Sequence, residues 1–138
     1  MKSATTFLHQ QLAYQTGIFI PDREVNFFSD DRLFAKGIKY YSELFSDAHE
    51  GAITGERSTH YTKLPTYPKT LERMQELINS PKFIYILRDP LERLVSQYIH
   101  QWSEREISCG LDEAVHRHPE LVHYSCYSYQ LAPYFERF

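Results

Sequence analysis

A hydroxyl-rich run with one lysine opens the sequence, directly ahead of a predicted helix. Its members are Lys2, Ser3, Ala4, Thr5 and Thr6. Backbone N–H groups at a helix N-terminus, joined by hydroxyls and one ammonium, favour the binding of an anion such as a phosphate. An ordinary helix cap by Ser3 or Thr5 is the alternative. The glycines of a Walker A loop are absent, so the run predicts an anion site of another kind or a simple cap.

A second candidate phosphate site follows the apolar, β-prone run at residues 82–87. Arg88 stands at the end of this predicted strand, where open α/β sheets bind their ligands. A guanidinium suits a phosphate, and Ser96 can add a hydroxyl about two helical turns further on. We therefore predict that Arg88 and Ser96 bind a phosphate, rather than that Arg88 pairs with a carboxylate. Asp89 is expected to cap the following helix and to pair with Arg93.

Glutamate and histidine side chains are the candidates for a general base. Glu24 lies three residues before the apolar pair at residues 27–28, and burial of the two rings would leave its carboxylate at the mouth of a pocket. A carboxylate within reach of a hydroxyl can remove its proton. Glu56 is interpreted as structural, bonding loop backbone. His60 and His100 are the other candidates, although His100 on its helix is interpreted as a surface or satisfied histidine.

These side chains need an α/β scaffold to position them. Apolar residues at helical spacing predict helices near residues 5–15, 36–45, 68–78, 90–102, 111–116 and 127–138. Short strands are predicted at residues 52–54 and 82–87, the second of them buried on both faces. This alternation indicates one α/β domain over residues 1–138. Two strands are few for a parallel sheet, so the sequence predicts a partial domain without its first strand and its C-terminal part.

Composition limits the classes of partner. The chain has 138 residues, of which 15 are Lys or Arg and 18 are Asp or Glu, so the formal net charge is −3. This balance predicts no general attraction to nucleic acid or to anionic membranes. We find neither an apolar run of about 18–20 residues nor a signal peptide, and we expect a cytoplasmic protein. Cys109 and Cys126 lack metal-site spacing and are expected to be reduced thiols.

Four segments resemble, in order, the motifs of sulfotransferases that use 3′-phosphoadenosine 5′-phosphosulfate. Residues 2–6 resemble the 5′-phosphosulfate loop, usually K-[ST]-G-T-T. Residues 87–98 resemble the 3′-phosphate motif, L-R-[DN]-P-x-x-R-x-x-S-x-Y, and residues 55–61 resemble the segment G-E-x-[ST]-x-x-Y. Residues 23–28 resemble the stretch K-E-x-x-F-F of heparan sulfate sulfotransferases and related bacterial enzymes. The ordered set resembles this family over about two thirds of the chain.

The resemblance implies a P-loop-like parallel sheet flanked by helices, and it implies roles for the first motif. Lys2 would contact the bridging oxygen and the 5′-phosphate of the donor. Ser3, Thr5 and Thr6 would complete the cradle. Ala4 stands where the family usually has glycine, which is unfavourable if the backbone there needs a positive φ.

The other motifs receive roles in the same way. Arg88 and Ser96 would hold the 3′-phosphate, and Glu24 matches the general base of the heparan-type enzymes. The implied reaction transfers a sulfuryl group to a hydroxyl or amine of a carbohydrate or small acceptor, without a metal. Two alternatives stay open: a non-catalytic nucleotide-binding remnant or partner-completed fragment, and a P-loop kinase, which the missing Walker A glycines disfavour.

Overall fold

The computed structural model describes residues 5–138. The predicted anion-loop residues Lys2, Ser3 and Ala4 lie outside them. The described residues divide into two units, one formed by residues 5–61 and 67–79 and the other by residues 62–66 and 80–138.

The first unit contains short helices and one small parallel sheet. Its elements are α1 (Thr5–Ala13), β1 (Ile18–Phe19), α2 (Asp31–Phe34), α3 (Gly37–Glu43), β2 (Ile53–Thr54) and α4 (Thr70–Leu77). Strands β1 and β2 pair in parallel, with Ile18 opposite Ile53 and Phe19 opposite Thr54. A parallel pair requires a crossover connection, and here α2 and α3 supply it.

Aromatic side chains form the core of this unit. Phe27 and Phe28 are completely buried. Their ring centroids lie 5.1 Å apart, and Tyr41 from α3 stacks on Phe27 at 4.7 Å. Such ring contacts stabilise a core beyond the area they bury. The predicted burial of residues 27–28 is therefore confirmed, and these rings anchor the segment that carries Glu24.

The second unit is helical. Its elements are α5 (Pro90–Ser103), α6 (Leu111–Arg117), α7 (Glu120–His123) and α8 (Tyr127–Arg137). The Asp89 carboxylate caps α5 by accepting a hydrogen bond from the Glu92 amide at 2.9 Å, as the sequence predicted. Ile107, Ala114 and Leu121 form the core, and Leu94 packs against it from α5.

The helix-rich chain with a small parallel sheet agrees with the predicted incomplete α/β class. The strand predicted at residues 82–87 is wrong, because this segment forms no strand in the structure. Three of its large apolar side chains are exposed rather than buried, with Phe83 at 45%, Ile84 at 69% and Leu87 at 58%, while Tyr85 and Ile86 are partly buried. A β-prone run becomes a strand only where a neighbour offers a hydrogen-bonding ladder, and residues 5–138 provide none for it.

Smaller differences concern helix ends and short helices. Helix α2 was not predicted; it begins at Asp31, where the Asp30 carboxylate accepts hydrogen bonds from the amides of Arg32 and Leu33. The four-residue α7 was not predicted either. Both cysteines are free thiols, with Cys109 partly buried and Cys126 exposed. No helix within residues 5–138 is long and apolar enough to cross a membrane.

Candidate functional site

The Glu24 segment is fastened to the segment at residues 56–61 by hydrogen bonds. The Val25 amide donates to the Arg57 carbonyl at 3.0 Å. The Asn26 amide donates to the Ser58 hydroxyl at 2.8 Å. These bonds join parts of the chain more than 30 residues apart in sequence, so the two candidate motifs form one local structure within the first unit.

A turn at Asn26 separates the carboxylate from the buried rings. Asn26 has a φ of +49°, a left-handed conformation that asparagine adopts more readily than most residues. Its carbonyl accepts hydrogen bonds from the amides of Ser29 and Asp30, which closes the turn. As a result Phe27 enters the core, while Glu24 stays exposed. The Glu24 carboxylate thus lies at the surface of the first unit, and its position at the mouth of a pocket stays a prediction.

Two neutral side chains hold the Glu24 carboxylate. The Thr59 hydroxyl donates to Glu24 Oε2 at 2.8 Å, and the Asn26 side-chain amide donates to the same oxygen at 3.4 Å. Partial burial raises the pKa of Glu24, but the hydrogen bonds from Thr59 and Asn26 and the nearby charge of Arg57 outweigh it. Its pKa therefore lies below the usual glutamate value, and the group is a carboxylate at neutral pH.

Glu56 differs from Glu24 because it is largely buried. The Ser58 hydroxyl donates to Glu56 Oε1 at 3.2 Å. Burial raises the pKa of Glu56, and the hydroxyls of Tyr61, Ser58 and Tyr41 offset this only in part. Because Ser58 also accepts from the Asn26 amide, Glu56 lies behind the Glu24 segment and supports it. The structure thus agrees with a structural interpretation of Glu56.

The two candidate histidines occupy different settings. The His60 ring stacks on Tyr67 with centroids 4.4 Å apart and planes 12° apart, and the His60 amide donates to the Asn26 side chain at 3.4 Å. His100 is exposed near the end of α5. This position agrees with the interpretation of His100 as a surface residue.

Arg88 and Ser96 line one groove in the second unit. The groove has a volume of about 530 Å³, and its other walls come from Leu91, Glu92, Val95 and Ile99. The Arg88 Nε donates to Glu92 Oε2 at 3.0 Å, so Arg88 does pair with a carboxylate, which the sequence analysis had disfavoured. The Arg88 amide also donates to the Tyr127 hydroxyl at 3.3 Å. The structure brings Arg88 and Ser96 together, and phosphate binding by them stays a prediction.

Arg93 has a role that the sequence did not predict. It is 98% buried, and within residues 5–138 it forms no ion pair with a carboxylate; the expected ion pair with Asp89 is wrong. Its guanidinium donates to Ser125 Oγ at 2.7 Å, Gln97 Oε1 at 2.7 Å and the Leu121 carbonyl at 2.9 Å. These bonds join α5 to the end of α7, and they hold the helix that carries Ser96.

The remaining predicted site residues lie at the start of the described chain. Thr5 and Thr6 begin α1, which agrees with a hydroxyl-rich run placed at a helix N-terminus. Thr59 and Asn26, which hold Glu24, were missed by sequence reasoning. The signal for Asn26 was available, since asparagine beside an apolar pair indicates a turn. No local pattern marks Thr59, because its contact with Glu24 spans 35 residues. Within residues 5–138 no group of three or more potential metal ligands comes together.

Comparison with known proteins identifies the family to which the chain belongs. The family described as "Sulfotransferase family" matches residues 2–138, and the chain belongs to this family. The fold is similar to the crystal structure of a sulfotransferase from Alicyclobacillus acidocaldarius, with a TM-score of 0.78 and 22% identity over 99% of this chain and 66% of that one.

Curated relatives are similar over much of the chain. The membrane-associated sulfotransferase kil1 of Dictyostelium discoideum is 32% identical over 123 residues, 81% of this chain and 24% of that protein. The heparan sulfate glucosamine 3-O-sulfotransferase 5 of Mus musculus is 30% identical over 97 residues, 70% of this chain and 27% of that protein. The chain thus spans about a quarter of the length of these curated relatives.

Proposed function

We propose that the protein transfers a sulfuryl group from 3′-phosphoadenosine 5′-phosphosulfate to a hydroxyl of a carbohydrate, with Glu24 as the general base. The observation that carries this proposal is the Glu24 carboxylate, kept charged and exposed by Thr59 and Asn26 in a chain of the sulfotransferase family. The Thr59 donor comes from a segment 35 residues away in the sequence, so the fold itself supplies a hydrogen bond to this carboxylate.

The chemistry of the described residues fits the donor in part. Arg88 and Ser96 supply a guanidinium and a hydroxyl on one groove wall, the donor types that bind a phosphate. Glu92 on the same groove is the unfavourable neighbour, and its ion pair with Arg88 must loosen or share the guanidinium when a phosphate binds. Thr5 and Thr6 at the start of α1 would contact the 5′-phosphosulfate together with Lys2 and Ser3.

The proposed step balances without a further reactant. When bound, the donor supplies the sulfuryl group and a phosphate leaving group. One S–O bond forms to the acceptor oxygen, one S–O bond to the donor phosphate breaks, and the proton of the acceptor hydroxyl passes to Glu24. Such transfers have loose transition states in which positioning and charge stabilisation dominate. Lys2 would stabilise the charge on the leaving oxygen.

The acceptor class rests on the relatives. Several are named heparan sulfate glucosamine 3-O-sulfotransferases, which supports a glycan hydroxyl as the acceptor here and places an amine second. The cytoplasmic location stays a prediction.

A binding experiment tests the donor and separates the alternatives. In a thermal-shift titration of the full chain, we expect stabilisation by 3′-phosphoadenosine 5′-phosphate and none by ATP with Mg²⁺. A magnesium-dependent shift by ATP alone would instead support a kinase. Sulfated product from a heparan-type glycan, followed by mass spectrometry, tests turnover; nucleotide binding without product would favour the non-catalytic remnant.

A further inference from the structure

Thr59 contacts the Glu24 carboxylate more closely than any other side chain described. Its hydroxyl lies 2.8 Å from Glu24 Oε2, against 3.4 Å for the Asn26 amide. Both donors reach Oε2, and no side chain within residues 5–138 donates to Oε1. The two side-chain donors thus hold Oε2, and Oε1 receives no side-chain donor among the described residues, while the Thr59 backbone amide also acts on the carboxylate.

An exposed glutamate ordinarily samples several side-chain rotamers, and confining it costs conformational entropy. A hydrogen bond from a segment that is itself fastened to residues 24–28 removes part of this freedom before a ligand arrives. The Val25–Arg57 backbone bond and the Asn26–Ser58 bond keep the two segments together next to the Thr59 contact. The hydroxyl therefore acts on a carboxylate whose backbone is already in place.

We propose that Thr59 is a positioning residue for the reaction, holding Glu24 Oε2 so that Oε1 is directed to the acceptor hydroxyl. This inference rests on the proposed function, in which Glu24 is the base. It deepens that function by assigning a residue outside the Glu24 motif to orient the base.

The electrostatic surroundings agree with this role. The hydrogen bonds from Thr59 and Asn26 and the charge of Arg57 lower the pKa of Glu24 against the opposing effect of partial burial, and the Thr59 backbone amide adds to them. Arg57 is the charged group that acts on Glu24 in the described structure. Replacing the Thr59 hydroxyl leaves Arg57, Asn26 and the backbone amide unchanged, so the effect of the hydroxyl can be measured alone.

Three variants of the full chain isolate the hydroxyl. Thr59→Val keeps the shape and removes the donor, and Thr59→Ser keeps the donor. Thr54→Val makes the same chemical change at an exposed threonine in β2 of the same unit. By carbon-detected NMR titration we expect the pKa of Glu24 to rise in Thr59→Val, to stay near the wild-type value in Thr59→Ser, and not to change in Thr54→Val. An unchanged Glu24 pKa in a folded Thr59→Val protein would overturn the proposal.

Kinetics supply the second readout. We expect kcat in Thr59→Val to fall about three- to tenfold, the range of one ordinary side-chain hydrogen bond, with the donor KM nearly unchanged. Thr59→Ser should restore most of kcat. A fall in Thr59→Val that Thr59→Ser does not reverse would count against positioning and indicate a packing defect.

The failure of this inference is distinguishable from the failure of the proposed function. If Glu24→Gln is inactive while Thr59→Val equals wild type in pKa and kcat, Glu24 remains the base and Thr59 does not position it. If Glu24→Gln remains fully active, the proposed base is wrong, and the positioning role of Thr59 is wrong with it.

Discussion

The two parts of the candidate site hold their charged side chains in different ways. Glu24 is held by a threonine 35 residues away, on a segment tied to its own by backbone hydrogen bonds. Arg88 lies just before α5 and is paired with Glu92, four residues later in the first turn of that helix. Under the proposed function, Glu24 benefits from a tertiary hydrogen bond that fixes its carboxylate toward one acceptor hydroxyl. Arg88 benefits from a local carboxylate partner that an incoming phosphate can replace.

Removal of the Glu24 carboxylate is expected to have the largest effect. Glu24→Gln keeps shape and hydrogen-bonding capacity but loses the basic oxygen, so kcat should fall by about 10²- to 10⁴-fold, the usual contribution of a positioned base. Donor affinity should hardly change. Steady-state kinetics and nucleotide titration measure the two effects, with Glu50→Gln at an exposed turn as the matched control. Equal losses in Glu24→Gln and Glu50→Gln would contradict a special role for Glu24.

Loss of the buried guanidinium should be next in size, and it tests whether the groove needs tertiary support as well. Arg93→Ala removes three hydrogen bonds, and the Leu121 carbonyl and the Ser125 hydroxyl keep only the 3.2 Å hydrogen bond between them among these contacts. We expect the free energy of unfolding to fall by about 2–4 kcal/mol, as for buried groups that lose charged donors. Urea denaturation measures it. A loss under about 0.5 kcal/mol, the range of ordinary surface substitutions, would show that Arg93 is dispensable.

Arg88→Ala tests whether the Arg88 guanidinium exchanges its Glu92 partner for a phosphate of the nucleotide. If the guanidinium passes from Glu92 to a phosphate, affinity for 3′-phosphoadenosine 5′-phosphate should weaken by about 1.5–3 kcal/mol, the range for a charged hydrogen bond. Calorimetric titration gives the value. Arg117→Ala is the matched control, because Arg117 makes the same i,i+4 pair with Glu113, at 2.7 Å, away from the groove. Unchanged affinity in Arg88→Ala would remove it from the site.

The smallest expected effect concerns Glu56, the buried acid that lies behind the Glu24 segment. Burial raises the pKa of Glu56 in the folded state, so the folded protein binds a proton more readily than the unfolded chain. Its contribution to stability is therefore fully present below the ordinary glutamate pKa and is lost as the pH rises through the folded value. We expect the contribution of Glu56 to the free energy of unfolding to grow on acidification through this window, and Glu56→Gln to remove it, so that the difference in unfolding free energy between the two proteins changes with pH. Parallel slopes for both proteins in urea denaturation across pH would refute it.

Several features of the fold could be predicted from local sequence. Asp89 followed by Pro90 predicts where α5 begins, because capping and the fixed proline φ act within one turn. The pair at residues 27–28 predicts a buried anchor, since two adjacent large rings seldom stay in water. The pairing partner of Arg93 could not be predicted, because an i,i+4 rule considers only its own helix and not the Leu121 carbonyl brought in from α7.

The sequence by itself determined the family, through four ordered motifs, and it determined the positions of most helices, through local spacing and capping. Only the tertiary structure decided which residues meet across long stretches of chain: Thr59 with Glu24, Ser58 with Asn26, and Arg93 with Leu121. Only the tertiary structure also decided that residues 82–87 form no strand. The physical reason is the same for all of these. Helix signals act over a few residues. Strand pairing, the hydrogen bond from Thr59 to Glu24 and the buried guanidinium of Arg93 depend instead on partners that the fold brings from other parts of the chain.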